Sequence, residues 1–228
     1  MTRFQEPAQL HNHSKYSLLD AVPSPEEWVG WCLENNTPGF AITDHGTAIS
    51  MYDALRFPEY IEKYNEKNGT DYPLDAVIGI PAVELYVKLT EDDAARWGVR
   101  AKERGHFHIT AWACSTEGYF NLMKLASVAY EDTVTYFGSV KARVTFSQIE
   151  QYKDGLKFGT GCIAGPIGAA ILHDDDIEEA EKRFLMYKEL FGDDLYIEFH
   201  PTDITHDFNK KTGGFEHRLQ VLAYRHTC

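Results

Sequence analysis

The chain contains no apolar run near the roughly 20 residues that a membrane-spanning helix requires. Its first residues, MTRFQEPAQL, lack the apolar stretch of a secretory signal. Cysteine is scarce, and Cys32, Cys114, Cys162 and Cys228 lie far apart with no CxxC pair. That argues against a disulfide framework and a Cys-rich zinc finger, and favours a reducing, cytoplasmic setting. Internal repeats, low-complexity linkers and coiled-coil heptads are missing too, which leaves a single folded domain as the expectation. Basic charge is in deficit: 22 Lys and Arg stand against 35 Asp and Glu, a formal net charge of −13. Such a surface repels duplex DNA. Any action on nucleic acid would need bound cations at the site or a basic partner domain.

What is present is ordinary for a globular protein, with 43% hydrophobic and 25% charged residues over 228 positions, enough to bury a substantial core. Short apolar runs alternate with amphipathic stretches, the pattern of an α/β protein. Strands are expected at Ala8–His13, Gly39–Asp44, Ala76–Val87, His106–Cys114, Leu156–Gly161 and Leu195–Pro201. SPEEWVGWCLENN predicts a helix with Ser24 as N-cap, Pro25 at its first position and Glu27 completing a capping box. GYFNLMKLASVAYE places Phe120, Leu122, Leu125 and Val128–Ala129 on one buried face. DIEEAEKRFLMYKELFG opens with acids and closes at Gly192. The polar stretch Leu89–Gly105 reads as surface loop or helix ends. A compact, barrel-like α/β domain over residues 1–228 is the expected architecture.

In barrels of this kind catalytic groups collect at the C-terminal strand ends. His11 and His13 finish the first strand in LHNHSKYSLLDA, with Asp20 seven residues on. Asp44 and His45 close FAITDHG, where Gly46 permits a sharp exit. Glu84 interrupts the apolar IPAVELYV, His108 sits in HFHITAWA, Cys162 follows LKFGTG, and Glu198 and His200 punctuate LYIEFHP. Each has an ordinary explanation. A lone strand histidine is more often a hydrogen-bonded core residue, a lone cysteine a small hydrophobe, and TDHG a simple turn. Glu84 is harder to dismiss, because a buried carboxylate is costly unless paired or metal-bound. As a set, these His, carboxylate and thiol groups suit zinc, manganese or iron and exceed the four ligands of one tetrahedral ion. A multinuclear site is the more natural inference.

In this order, HxH, Asp, TDHG, Glu, His and Cys resemble the polymerase and histidinol phosphatase (PHP) domain. LHNHSKYSLLDA, FAITDHGT, GIPAVELYV, HITAWACSTEGYFNLMKLASVAY and GLKFGTGCIAGPIGAAIL resemble, more narrowly, the PHP domain of bacterial-type DNA polymerase III alpha subunits. The likeness runs from about Leu10 to Leu222, and GYFNLMKLAS separates the polymerase branch from stand-alone phosphatases. The resemblance implies a distorted (β/α)7 TIM-like barrel with a trinuclear centre of divalent metal ions (zinc, manganese or iron). The implied ligands are His11, His13, Asp20, His45, Glu84, His108 and Cys162, with Glu84 bridging. Asp44 would support His45, and His106 would lie outside the ligand set. Pro166 stands where an acidic residue is common, which leaves that set untouched.

The family closes its site with an Asp-x-His beyond a last helix, which here corresponds to EHRLQVLAYRHTC. Asp203, His206 and Asp207 have the wrong spacing for it, and the role of His200 is open. The chain is therefore expected to be a fragment lacking the last strand and two ligands, which leaves its site incomplete in isolation. The implied function is a metal-dependent phosphoesterase acting as a 3′–5′ proofreading exonuclease in DNA replication. The implied partners are a DNA 3′ end, the rest of a polymerase chain and other replisome subunits. The alternatives are a stand-alone phosphatase for a small phosphomonoester and a non-catalytic domain that stabilises the polymerase.

Overall fold

A computed structural model describes residues 7–136, 138–162, 164–172 and 176–198. Its strands are β1 (Gln9–Asn12), β2 (Gly39–Ile42), β3 (Ile78–Leu89), β4 (Lys102–Ala113), β5 (Thr133–Tyr136), β6 (Ser139–Thr145), β7 (Leu156–Gly159) and β8 (Leu195–Tyr196). The helices are α1 (Pro25–Glu34), α2 (Ile49–Leu55), α3 (Phe57–Asn68), α4 (Glu91–Trp97), α5 (Thr116–Val128), α6 (Phe146–Tyr152), α7 (Pro166–Leu172) and α8 (Ile177–Phe191). The strands form one curled sheet in the order β1-β2-β3-β4-β7-β8, with β6 pairing to β3 and β5 to β6. This is the mixed α/β, partial TIM-like barrel that the sequence implies. Among the described residues no helix is long and apolar enough to cross a membrane.

Strand direction differs from a simple parallel barrel in a way that matters. β1, β2 and β3 run parallel, but β4 is antiparallel to both β3 and β7. The early residues of β4 therefore share a rim with the ends of β1 and β2. His108 reaches the candidate site from mid-strand, not from a C-terminal strand end.

Period-two alternation sorts the two faces of the sheet. Val83, Leu85 and Val87 on β3 and Phe107, Ile109 and Ala111 on β4 join the main core with Leu122, Leu125, Phe184 and Tyr187. Each such burial contributes roughly 1.5–3 kcal/mol. Their alternates, Ala82, Glu84 and Tyr86 against Trp112, Thr110 and His108, line the other face in register. That face holds a small apolar floor of Leu10, Ile80, Ala41, Ala82 and Trp112, and above it the polar cluster. A second core packs α1 and α3 on β2 through Val29, Leu33, Phe40, Phe57 and Ile61.

Several expectations are met. Ser24 caps α1 with the reciprocal Glu27 contact, and Asp176 caps α8. Others change. Phe120 is exposed, because it lies two residues, about 200° of helix, from Leu122 on the buried face. Leu89–Gly105, read as surface loop or helix ends, holds the short helix α4, started by a capping box of Thr90 and Asp93, and the beginning of β4 at Lys102. The expected strand Leu195–Pro201 is two residues long as β8. His200, Asp203, His206, Asp207, Cys228 and the expected last helix lie outside the described residues.

Candidate metal centre

The cluster begins with backbone. Thr43 N–H donates to Asn12 O at 2.7 Å, extending the β1–β2 pairing beyond the strands. A parallel bridge joins His45 to Glu84, with Glu84 N–H on Asp44 O and Gly46 N–H on Glu84 O. Gly46 takes φ +61°, the left-handed turn that lets the chain leave at once. Two indoles pin β1 and its exit: Trp112 Nε1 donates to Leu10 O at 2.7 Å and Trp28 Nε1 to His13 O at 2.9 Å. The β1–β2 pairing is irregular between Gln9 and Asn12, a bulge of the kind that re-aims side chains.

Glu84, 1% exposed, sits at the centre. His11 Nε2 and His108 Nδ1 each lie 3.2 Å from its Oε1, and His45 Nδ1 is pressed against Oε2. Burial alone would raise the Glu84 carboxyl, but contacts from His108, His11 and His45 hold it well below the usual carboxylate range. Asp20 Oδ2, on the solvent side, is 3.2 Å from His45 Nε2 and 3.9 Å from His13 Nε2. The His13 and His45 rings stack at 4.2 Å.

Three overlapping sets result, in each of which one donor atom per residue lies within 4.8 Å of the others: His11, His13 and Glu84; His13, Asp20 and His45; and His45, Glu84 and His108. Six of the seven sequence-predicted ligands thus converge. Cys162 joins none of these sets. It occupies the turn after β7, where its Sγ accepts from Ala164 N–H at 3.4 Å. Burial, with lesser contributions from the Glu84 and Glu198 charges, pushes the thiol up to about 11. His106 stacks on His108 at 5.3 Å and stays outside the three sets, as expected.

Asp44 does not touch His45 by its side chain. Fully buried, its carboxylate accepts from Ser14 N–H, Ser14 Oγ–H and Ser17 Oγ–H, each at 2.7 Å. Ser17 Oγ in turn accepts from His45 N–H at 3.1 Å and lies 3.2 Å from His13 Nδ1. Because the Ser17 hydroxyl proton is committed to Asp44, His13 Nδ1–H must donate, which leaves Nε2 with its lone pair toward the cluster. Burial lowers the His13 pKa and keeps that ring neutral.

Glu198 is the residue that sequence reasoning left outside the ligand set. It accepts from His11 Nδ1–H at 2.5 Å, Thr110 Oγ1–H at 2.5 Å and Gly161 N–H at 2.7 Å. Burial pulls the His11 pKa down, yet Glu198 and Glu84 outweigh it and raise the ring to about 10. His45 is raised likewise, against burial, by Glu84 and Asp20.

The donor set fits divalent cations. An ionised, buried carboxylate is ringed by imidazoles, and two of those rings are driven to hold protons by the negative charge around them. Neutral imidazole and carboxylate are the donors that zinc, manganese and iron accept.

Comparison with known proteins agrees with this geometry. The family model described as "PHP domain" matches residues 9–202. DNA polymerase III subunit alpha of Deinococcus radiodurans is 31% identical over 195 residues, 84% of this chain and 13% of that protein. The same subunit of Thermus aquaticus is 31% identical over 193 residues, again 84% of this chain and 14% of the relative. That of Treponema pallidum is 33% identical over 188 residues, 82% of this chain and 14% of the relative. The chain thus spans about one seventh of the length of these relatives.

Proposed function

The chain belongs to the PHP domain family and is homologous to the PHP region of DNA polymerase III alpha subunits; on that premise we propose that it is a metal-dependent phosphodiesterase that removes nucleotides from a DNA 3′ end. The observation that carries this reading is the convergence of His11, His13, Asp20, His45 and His108 around the buried Glu84. These residues, in three overlapping sets that leave Cys162 outside, would hold up to three divalent ions. Bound ions of this type would polarise a phosphoryl oxygen and lower the pKa of a coordinated water to near neutrality.

The chain's own residues set the terms. Glu84 stays ionised and shares its two oxygens among three rings. Asp44 acts through Ser17 to fix the His13 tautomer, and Glu198 fixes His11 in the same sense. Asp20, half exposed, closes the cluster on the side from which a phosphodiester arrives. Positive charge at the centre also answers the acidity of the rest of the surface. The proposed partners are a DNA strand, the remainder of a polymerase chain and other replisome subunits.

The test is hydrolysis of bis(p-nitrophenyl) phosphate and of a 5′-labelled single-stranded oligonucleotide, with Mn²⁺ or Zn²⁺ added to chelator-treated chain. The expected result is metal-dependent release of mononucleotides from the 3′ end, reduced about 100-fold or more in His13→Ala. Equal activity in His13→Ala, or hydrolysis of a phosphomonoester alone, would overturn the reading.

A further inference from the structure

Beside the cluster lies a cleft of about 340 Å³ that the ligand residues do not fill, although His45 forms part of its wall. The loop after β1 bounds it from Lys15 to Leu18, the turn after β2 from His45 to Ile49, and β6 from Val140 to Ala142. Tyr86 links it to the metal centre: its ring lies parallel to His45 at 5.9 Å, and its hydroxyl accepts from Lys141 Nζ at 3.0 Å.

Two properties of the lining stand out. In a chain of net charge −13, its lining carries Lys15 and Lys141 besides His45, and among the described residues no carboxylate lines it. Leu18, Ile49 and Tyr130 are left 83%, 56% and 64% exposed there. Cations flanking uncovered apolar and aromatic side chains are what an unstacked nucleotide requires, phosphate on lysine and base on the apolar wall. A duplex would offer phosphates and leave the apolar wall uncovered. A small phosphomonoester would reach the metals without covering it.

We propose that this cleft seats one nucleotide of a single DNA strand next to the scissile linkage, with Lys15 and Lys141 on its phosphates and Leu18, Ile49 and Tyr130 against its base. The proposal rests on the phosphodiesterase reading above and names the strand-binding residues of that site. The cleft's volume is at the small end for ligand sites, suited to one nucleotide at a time.

The experiment is fluorescence anisotropy of a labelled, phosphorothioate-linked pentathymidylate with the 228-residue chain in Mn²⁺ buffer, so that binding is read without turnover. Lys15→Gln and Lys141→Gln should each weaken binding about tenfold and make the log–log salt slope shallower by about 0.7, the value for one single-strand phosphate contact. Lys141→Arg should restore most of the affinity, which separates lost charge from the lost Tyr86 contact. Leu18→Asp, which puts a carboxylate on the apolar wall, should weaken binding of the strand about tenfold. Unchanged affinity in both glutamine variants, or tighter binding of a matched duplex than of the single strand, would overturn the proposal. If the chain hydrolyses the small diester while both lysine variants bind the strand normally, the cleft assignment falls and the reaction stands. If no diester is hydrolysed but strand binding depends on the lysines, the cleft stands and the reaction falls.

Discussion

Glu198 shows how a side chain outside the proposed ligand set can hold one within it. Its Oε2 accepts from His11 and its Oε1 from Thr110 and Gly161. A glutamine has one acceptor oxygen, so in either orientation its amide nitrogen meets a donor. Glu198→Gln and Glu198→Ala are therefore both expected to lower metal affinity by about 10–100-fold, read by calorimetric titration of chelator-treated chain with Zn²⁺. Wild-type affinity in the glutamine variant would show that His11 needs no fixed orientation. Gly159 guards the same seat, since a Cβ there would lie 2.1 Å from Glu198 Oε1 and 2.2 Å from Thr110 Oγ1. Asp44→Ala strands three buried donors and should cost about 2–4 kcal/mol in urea unfolding, with metal affinity falling as the His13 tautomer is released. An unfolding free energy within 0.5 kcal/mol of wild type would contradict that role. The sequence marked Glu198 and Asp44 as suspicious carboxylates from their apolar flanks. It could not assign their partners, because Ser14, Thr110 and Gly161 reach them from 30 to 88 positions away.

At the level of elements, GYFNLMKLAS carries a packing requirement. A Cβ on Gly118 would lie 1.9 Å from Gly155 O, so the first turn of α5 crosses the turn before β7 in direct backbone contact. Asn121 Nδ2 donates to Asp154 O at 2.9 Å in the same crossing. Gly118→Ala, although it favours helix intrinsically by about 1 kcal/mol, should lower stability because backbone has to move. Thermal unfolding should show a fall of several degrees, whereas Ala at the exposed Phe120 should leave the melting temperature nearly unchanged. A stabilised Gly118→Ala chain would refute the crossing. Helices with strong start signals were legible: Ser24 with Glu27 for α1, and the acidic opening of α8. The neighbouring α2 and α3 lack side-chain caps at their starts, so their beginnings are marked more weakly than that of α1. The β5–β6 hairpin escaped for another reason. Its pairing partner β3 lies more than 50 positions earlier, and register of that kind leaves no local mark.

Across the whole molecule, acidity and metal binding meet in one balance. A net charge of −13 opposes compaction through self-repulsion, and the candidate centre concentrates Glu84, Asp20 and Glu198 on one rim. Ions that bind the folded chain stabilise it by RT ln(1 + [L]/Kd), about 2.7 kcal/mol at a hundredfold excess over Kd. For a chain of this size that corresponds to a rise of roughly 5–10 °C in Tm. Screening is a separate effect: raising Na⁺ relieves long-range repulsion over a Debye length of about 10 Å at 0.1 M without filling the centre. The two are separated by scanning calorimetry of chelator-treated chain with Mn²⁺ and with NaCl at matched ionic strength. Wild type should gain the larger shift only with Mn²⁺, and His13→Ala should respond alike to both salts. Equal shifts for the two salts in wild type would mean that the cluster, however well its donors converge, draws no ion from solution.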